Sequence, residues 1–460
     1  MGVVLLGVFL LALLPFVLVR PQRGLLVLAA LVPFHGLLPV LPEGAVPAFW
    51  KEALLAVVVL AAAVNTARNG PRGRSATMPW LAPLALFVVL GVASALLVHG
   101  PVGLIAVKVS FFYAVLITPV LLLHPFTPRD RDHLVTIMMV VGVVTAAYGI
   151  AQQFIGGDTL ASWGYRWNDT IRTSGSVLRS FSTFALPFPF GLYCMTVLLV
   201  CGSVALADPT RLRNRVFLWC TPVVLAGMAV SIVRGSYLGF VVGVVFLAVV
   251  AYRWMRGWVL AGGLVLAGAL AAAPAAIRHS VFSSSSLDAR STGWGEILTD
   301  LASRPLGQGL GFTGAAADTL AAAEGVTRVP YQPDNYYVKT ALELGPLGTA
   351  LFVAILVLGL LAMMRARRLA PVPADRAFAV GVAAFVVAGA AASFVATFLE
   401  IFPLDVYFWL LLGAGTLTVR HEGPARPRTA GGRQPLTAGR TPGSCPSARS
   451  PRRDRGRPGG

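Results

Sequence analysis

Apolar runs of about 18 residues or more recur along almost the whole of this 460-residue chain, from Gly2 to the region before Arg420. Each is long enough to cross a bilayer core of about 30 Å as a helix. Charged residues make up only 12% of the sequence, against roughly 25% in soluble proteins. A transmembrane β-barrel would show short segments of alternating hydrophobicity instead. The pattern therefore predicts an all-α polytopic membrane protein with about twelve to thirteen spans. We place them near 3–19, 24–42, 48–64, 80–98, 102–123, 134–155, 181–206, 216–233, 237–252, 258–277, 338–364, 377–399 and 401–419. The first run has no basic residue ahead of it and no small-residue cleavage site, so it reads as a retained helix rather than a signal peptide.

The formal net charge is +18, and 26 of the 37 basic residues fall on alternate connections or in the tail. These are Arg20 and Arg23, then Arg68, Arg72 and Arg74, then Arg129 and Arg131, followed by Arg211, Arg213 and Arg215. Arg253 and Arg256, Arg365 to Arg376, and the stretch from Arg420 complete the set. Cytoplasmic connections concentrate Lys and Arg, so the expected orientation puts these inside and the long 278–335 loop outside. That loop carries four arginines against six acids. A basic balance distributed in this way belongs to membrane topology, and no nucleic-acid partner is expected. Residues 420–460 are Arg, Pro, Gly and Ser with little apolar content. They read as a disordered basic cytoplasmic tail, separate from a 1–419 membrane domain. The expected location is the inner or plasma membrane. Of the cysteines, Cys194, Cys201 and Cys220 lie in apolar runs and Cys445 in the tail, so no disulfide framework is implied.

Chemistry-bearing residues cluster on the predicted outer side. Arg234 opens Arg-Gly-Ser-Tyr-Leu238 between two apolar runs. A guanidinium there either snorkels to headgroups or grips phosphate oxygens with two parallel hydrogen bonds. The loop 278–335 holds His279, Arg290 with Trp294, and Arg304-Pro-Leu-Gly-Gln-Gly-Leu-Gly-Phe312. Its glycines allow tight turns, and exposed backbone N–H groups in such a turn can hold a phosphate oxygen. Asp334-Asn335 precedes an apolar run; after nine more residues come Gly345-Pro-Leu-Gly348. An Asp or Asn in that place is also the usual helix N-cap, and Gly345 and Gly348 permit close helix packing. Lys339 stands one turn past Asn335. Lys108, within an apolar run, invites a functional reading by default. Asp130-Arg-Asp132 matches a metal–nucleotide Asp-x-Asp only in spacing, since no nucleotide-binding domain surrounds it.

In order and spacing, Arg234-x-x-x-Leu238, the glycine-rich stretch at 304–312 and Asn335 followed by Gly345 resemble the signature of the O-antigen ligase and polymerase family. The motifs span 216–364. The resemblance implies a metal-independent, cofactor-free integral-membrane glycosyltransferase. It would move a glycan from a polyprenyl-diphosphate carrier onto a glycan or lipid acceptor at the outer face. On that reading Arg234, with Arg290 or Arg304, binds the donor diphosphate, and Asp334 and Asn335 engage the acceptor hydroxyl; His279 and Lys339 are secondary candidates. The chain departs from the family at Asp334, where a histidine is usual. An aspartate, with an ordinary pKa near 3.9, is a weaker base unless burial raises it. The alternative is a transporter or flippase of lipid-linked sugars. Such a protein more often spreads charge through its helices and shows internal repeats; neither is visible here.

Overall fold

A computed structural model of the chain describes residues 2–42, 46–69, 74–165, 167–174, 177–272, 304–325, 331–416 and 418–420. Every expected span finds a helix. In chain order these are α1 Gly2–Val19, α2 Pro21–Leu31 with a 3-10 extension to Val40, α3 Trp50–Asn69, α4 Leu81–His99, α5 Leu104–Leu123 and α6 Pro128–Ile155. Short helices α7 Gly157–Ser162 and α8 Asp169–Arg172 lead to α9 Pro187–Ala207, α10 Leu212–Val230, α11 Arg234–Val250 and α12 Met255–Ala272. Then come α13 Gly314–Glu324, α14 Tyr336–Leu369, α15 Pro373–Ala392 and α16 Leu404–Ala414. Among the described residues, eight helical stretches are long and apolar enough to cross a membrane, and one of them, Leu81–Leu123, joins α4 and α5. Two two-residue or three-residue antiparallel ribbons are the only strands among the described residues. His279, Arg290, Trp294 and the proposed tail from 421 onward lie outside the described residues.

The core forms around α9, which is buried along nearly its whole length. It packs against α6, α10, α11 and α15. Glycines let these helices approach closely: a Cβ on Gly243 would meet Leu199 at 2.6 Å, and one on Gly381 would meet the Val200 backbone at 3.0 Å. Such small-residue contacts carry helix association where lipid removes the hydrophobic drive.

Three boundaries differ from expectation. The span expected from 181 begins at Pro187, because the buried residues 181–184 form a turn that leads into it. The Gln152 side chain accepts hydrogen bonds from the Phe181 and Ser182 N–H groups and donates to the Ser182 carbonyl. Leu186, held extended before Pro187, then starts the helix. The helix expected to reach 399 ends at Ala392, freeing 393–402 to line the cavity described below. The third helix, α14, breaks at Gly345, whose φ of 67° and ψ of −173° are helical in no sense.

The predicted basic connections gather at one end of the bundle. Arg131 pairs with Asp375 at 2.8 Å and donates to the Ala414 carbonyl. Arg211 and Arg213 both hold Asp132, and Arg367 bonds the Val250 carbonyl. A strand at Arg74–Ala76 pairs antiparallel with one at Thr418–Arg420, Arg74 opposite Arg420. The Asp130-Arg-Asp132 motif is structural here: Asp130 forms a capping box with Thr127 at the start of α6.

Candidate functional site

At the opposite end lies a cavity of about 940 Å3, near the upper end of the usual range for ligand sites. Several helices begin on it. The first turns of α3 and α5 supply Lys51, Glu52, Ile105 and Lys108, and the lead into α9 supplies Phe188. The N-terminal half of α13 supplies Asp318, the segment before α14 supplies Gln332 and Asp334, and the start of α16 supplies Asp405. Helix N-termini present unpaired N–H groups and the positive end of the dipole, so their convergence favours an anion.

Carboxylates and two lysines line the cavity, and three arginines stand against its wall. Arg172 stacks on Phe181 at 3.6 Å and donates to the carbonyl of Ala185, a lining residue. Burial pushes its pKa down to about 10. Arg179 lies over the ring of lining residue Phe188 at 4.9 Å and donates to the Ile232 carbonyl. Its buried Nε has no partner among the described residues. Burial and the positive charge of neighbouring Arg234 both lower its pKa. Arg234 is the first residue of α11 and is exposed. Next to it, Gly235 faces Val395 and Ala396 of the cavity wall. The lining carboxylates are Glu52, Asp318, Asp334, Glu400 and Asp405. Lys51 and Lys108 each lie 3.4 Å from Glu52, so these lysines share one counter-ion.

Asn335, not Asp334, caps α14: its side-chain oxygen accepts from Tyr337 N at 2.9 Å and Val338 N at 3.2 Å. That leaves its amide NH2 for other partners. Asp334 stands just outside the cap, exposed and on the cavity. Burial, which the base role called for, is therefore absent at Asp334.

The glycine-rich stretch does something other than expected. Gly307, Gly309 and Gly311 all have positive φ, but their N–H groups do not face a ligand. Gly307 N bonds the Arg304 carbonyl and Gly309 N the Glu343 carbonyl. Gly311 N and Thr313 N both donate to the Glu343 carboxylate at 3.1 Å. The loop docks into the break in α14: a Cβ at Gly345 would meet the Pro305 carbonyl oxygen at 2.1 Å. Gly345 thus serves loop docking, in place of the helix packing expected of it. Arg304 is exposed, bonds Gln308, and is not among the residues that line the cavity.

Lys339 is buried. It pairs with Glu343 and, at 3.0 Å, with Glu400. Its charge is consumed inside the protein rather than offered to a ligand. Arg179, Lys51, Glu343 and Glu400 were not legible as site residues, since no sequence spacing links them to the motifs; only packing brings them together.

Comparison with known proteins adds the family. No curated protein sequence matches the chain. Residues 219–353 match the family model of the O-antigen ligase, and this segment holds Arg234, the glycine-rich loop, Asp334, Asn335 and Gly345. Over this segment the chain is similar to the O-antigen ligase family, and its several long apolar helices fit a multi-pass membrane protein.

Proposed function

We propose that the cavity transfers or polymerises a glycan carried on a polyprenyl diphosphate, at the outer face of the membrane. The observation that carries this reading is the company of arginines seated against the cavity wall and carboxylates that line it at converging helix N-termini. A diphosphate leaving group gathers negative charge as the glycosidic bond breaks. Fixed cations aimed at that charge stabilise the transition state without reorganising. Arg234 takes this role with Arg179 beside it; a guanidinium keeps its charge and offers paired donors to phosphate oxygens. Asp334 and the free amide of Asn335 meet the acceptor. An exposed carboxylate at Asp334 orients the acceptor by accepting a hydrogen bond from a hydroxyl beside the reacting one. No divalent metal is needed in this scheme, because the cations already neutralise the leaving group.

Purified protein incubated with a lipid-linked glycan is expected to release polyprenyl diphosphate as acceptor is extended. A protein that moves the intact lipid-linked sugar across vesicles but releases no diphosphate is a transporter, and the transferase reading fails.

A further inference from the structure

The buried ion cluster beside the cavity has an uneven geometry. Lys339 lies between two carboxylates, Glu343 and Glu400. Glu343 is fully engaged: one oxygen accepts from Gly311 N and Thr313 N, and the other meets Lys339. Glu400 is not. Its Oε1 meets Lys339 at 3.0 Å and the Ser110 hydroxyl at 3.5 Å. Its Oε2 makes no well-formed hydrogen bond among the described residues and lies against the Gly314–Ala315 backbone at the start of α13, although the side chain is only 1% exposed. A buried polar atom left open in this way is uncommon and calls for a partner. Glu400 sits in the connection between α15 and α16, and it lines the same cavity as Asp334.

One ammonium between two carboxylates leaves the ionised cluster with a formal charge of −1. Enclosing unbalanced charge is costly, and a proton taken up by the open carboxylate relieves it.

Resting on the transferase reading above, we infer that Glu400 is the proton acceptor for the acceptor hydroxyl. In the step, the acceptor oxygen forms a bond to the anomeric carbon, and the bond from that carbon to the diphosphate oxygen breaks. Its electron pair leaves on the diphosphate, held by the arginines, and the hydroxyl proton passes to Glu400 Oε2. Asp334 orients the acceptor through a neighbouring hydroxyl, and Lys339 positions the Glu400 carboxylate through Oε1. Burial raises the Glu400 pKa against the opposing pull of Lys339. That shift suits a base, which works best when its pKa approaches the operating pH. The other titratable groups that act on it are Glu343 and Tyr336 on α14 and Asp405 on α16.

The test uses the full chain in proteoliposomes, with lipid-linked glycan as donor and polyprenyl diphosphate release as readout. Glu400→Gln is expected to bind donor as the wild type does while turning over at least a hundredfold more slowly. A base must be ionised, so wild-type turnover falls as pH falls through the Glu400 pKa; the Gln variant loses this limb. Formate added to Glu400→Ala is expected to restore part of the rate, an effect that a purely structural role does not produce. If Glu400→Gln fails to fold, Glu400→Asp replaces it: this variant keeps the charge but withdraws the carboxylate by one methylene, and at least a tenfold loss with intact donor binding is expected. Near-wild-type turnover in the folded variant overturns the assignment alone. A wild-type protein that releases no polyprenyl diphosphate overturns the transferase reading and this assignment with it.

Discussion

The two ends of the helix bundle treat charge in opposite ways. At the end that carries the basic connections, the charges are spent on the fold. Asp132 is shared by Arg211 and Arg213, Arg131 is paired with Asp375, and Arg367 and Arg256 bond backbone carbonyls at helix ends. Cations near a helix C-terminus also complement its dipole. At the cavity end, by contrast, groups are held but not satisfied. Arg234 has no ion pair among the described residues, Arg179 keeps an open Nε, Glu400 an open Oε2, and two lysines divide one glutamate. Interactions within the protein stabilise the first end, while the second keeps open donors and acceptors that the proposed reading assigns to a ligand. On the proposed reading the same residue type, arginine, is structural at one end and functional at the other, and composition alone does not separate the two.

The comparison yields predictions of decreasing size. The largest is all-or-none and concerns which end faces outward. In a background lacking the native cysteines, Ala323→Cys at the cavity end is expected to react with a membrane-impermeant maleimide in intact cells. Thr210→Cys, beside the Arg211–Asp132 pair, is expected to react only after lysis. Reversed labelling would turn the proposed orientation over.

A smaller effect is expected at Asp334. Asp334→Asn removes a charged hydrogen-bond acceptor worth about 1.5–3 kcal/mol, roughly a ten- to hundredfold loss in kcat/KM for the acceptor with donor binding retained. Kinetics at varied acceptor concentration would show it, and an unchanged kcat/KM would remove Asp334 from the site. Because Asn335 already caps α14, no loss of stability is expected from this variant.

The smallest effect belongs to the other end. Asp132→Asn breaks two partly exposed pairs, each worth about 0.2–1 kcal/mol. A modest drop in thermal stability and unaltered turnover are expected. A large loss of activity from this change would contradict the division between the two ends.

Much of the fold was legible because membrane spans are written in long apolar runs, and charge alternation orders the connections. The failures were local. Residues 181–186 are apolar enough to extend α9, yet Gln152 captures their backbone in a turn, a contact that sequence periodicity does not report. The break in α14 at Gly345-Pro346 lay inside a single expected span, 338–364. Within the site, Arg234 and Asp334 could be read because each belongs to a short motif at fixed spacing. Glu400 and Arg179 could not, because Glu400 is assembled with Lys339 across 61 positions, and Arg179 with Arg234 across 55, by tertiary packing alone. The glycine-rich loop was misread for the same reason: the anion its N–H groups hold is Glu343, some thirty residues away in the chain, rather than a phosphate.

The most direct test of the central claim is the rate of polyprenyl diphosphate release by Arg234→Lys beside the wild type. Lysine keeps the charge but cannot reproduce a forked, two-point grip on phosphate oxygens. The account predicts at least a tenfold loss of turnover in a variant that inserts and melts like the wild type. Near-wild-type release from Arg234→Lys would contradict it and leave Arg234 as an interfacial anchor.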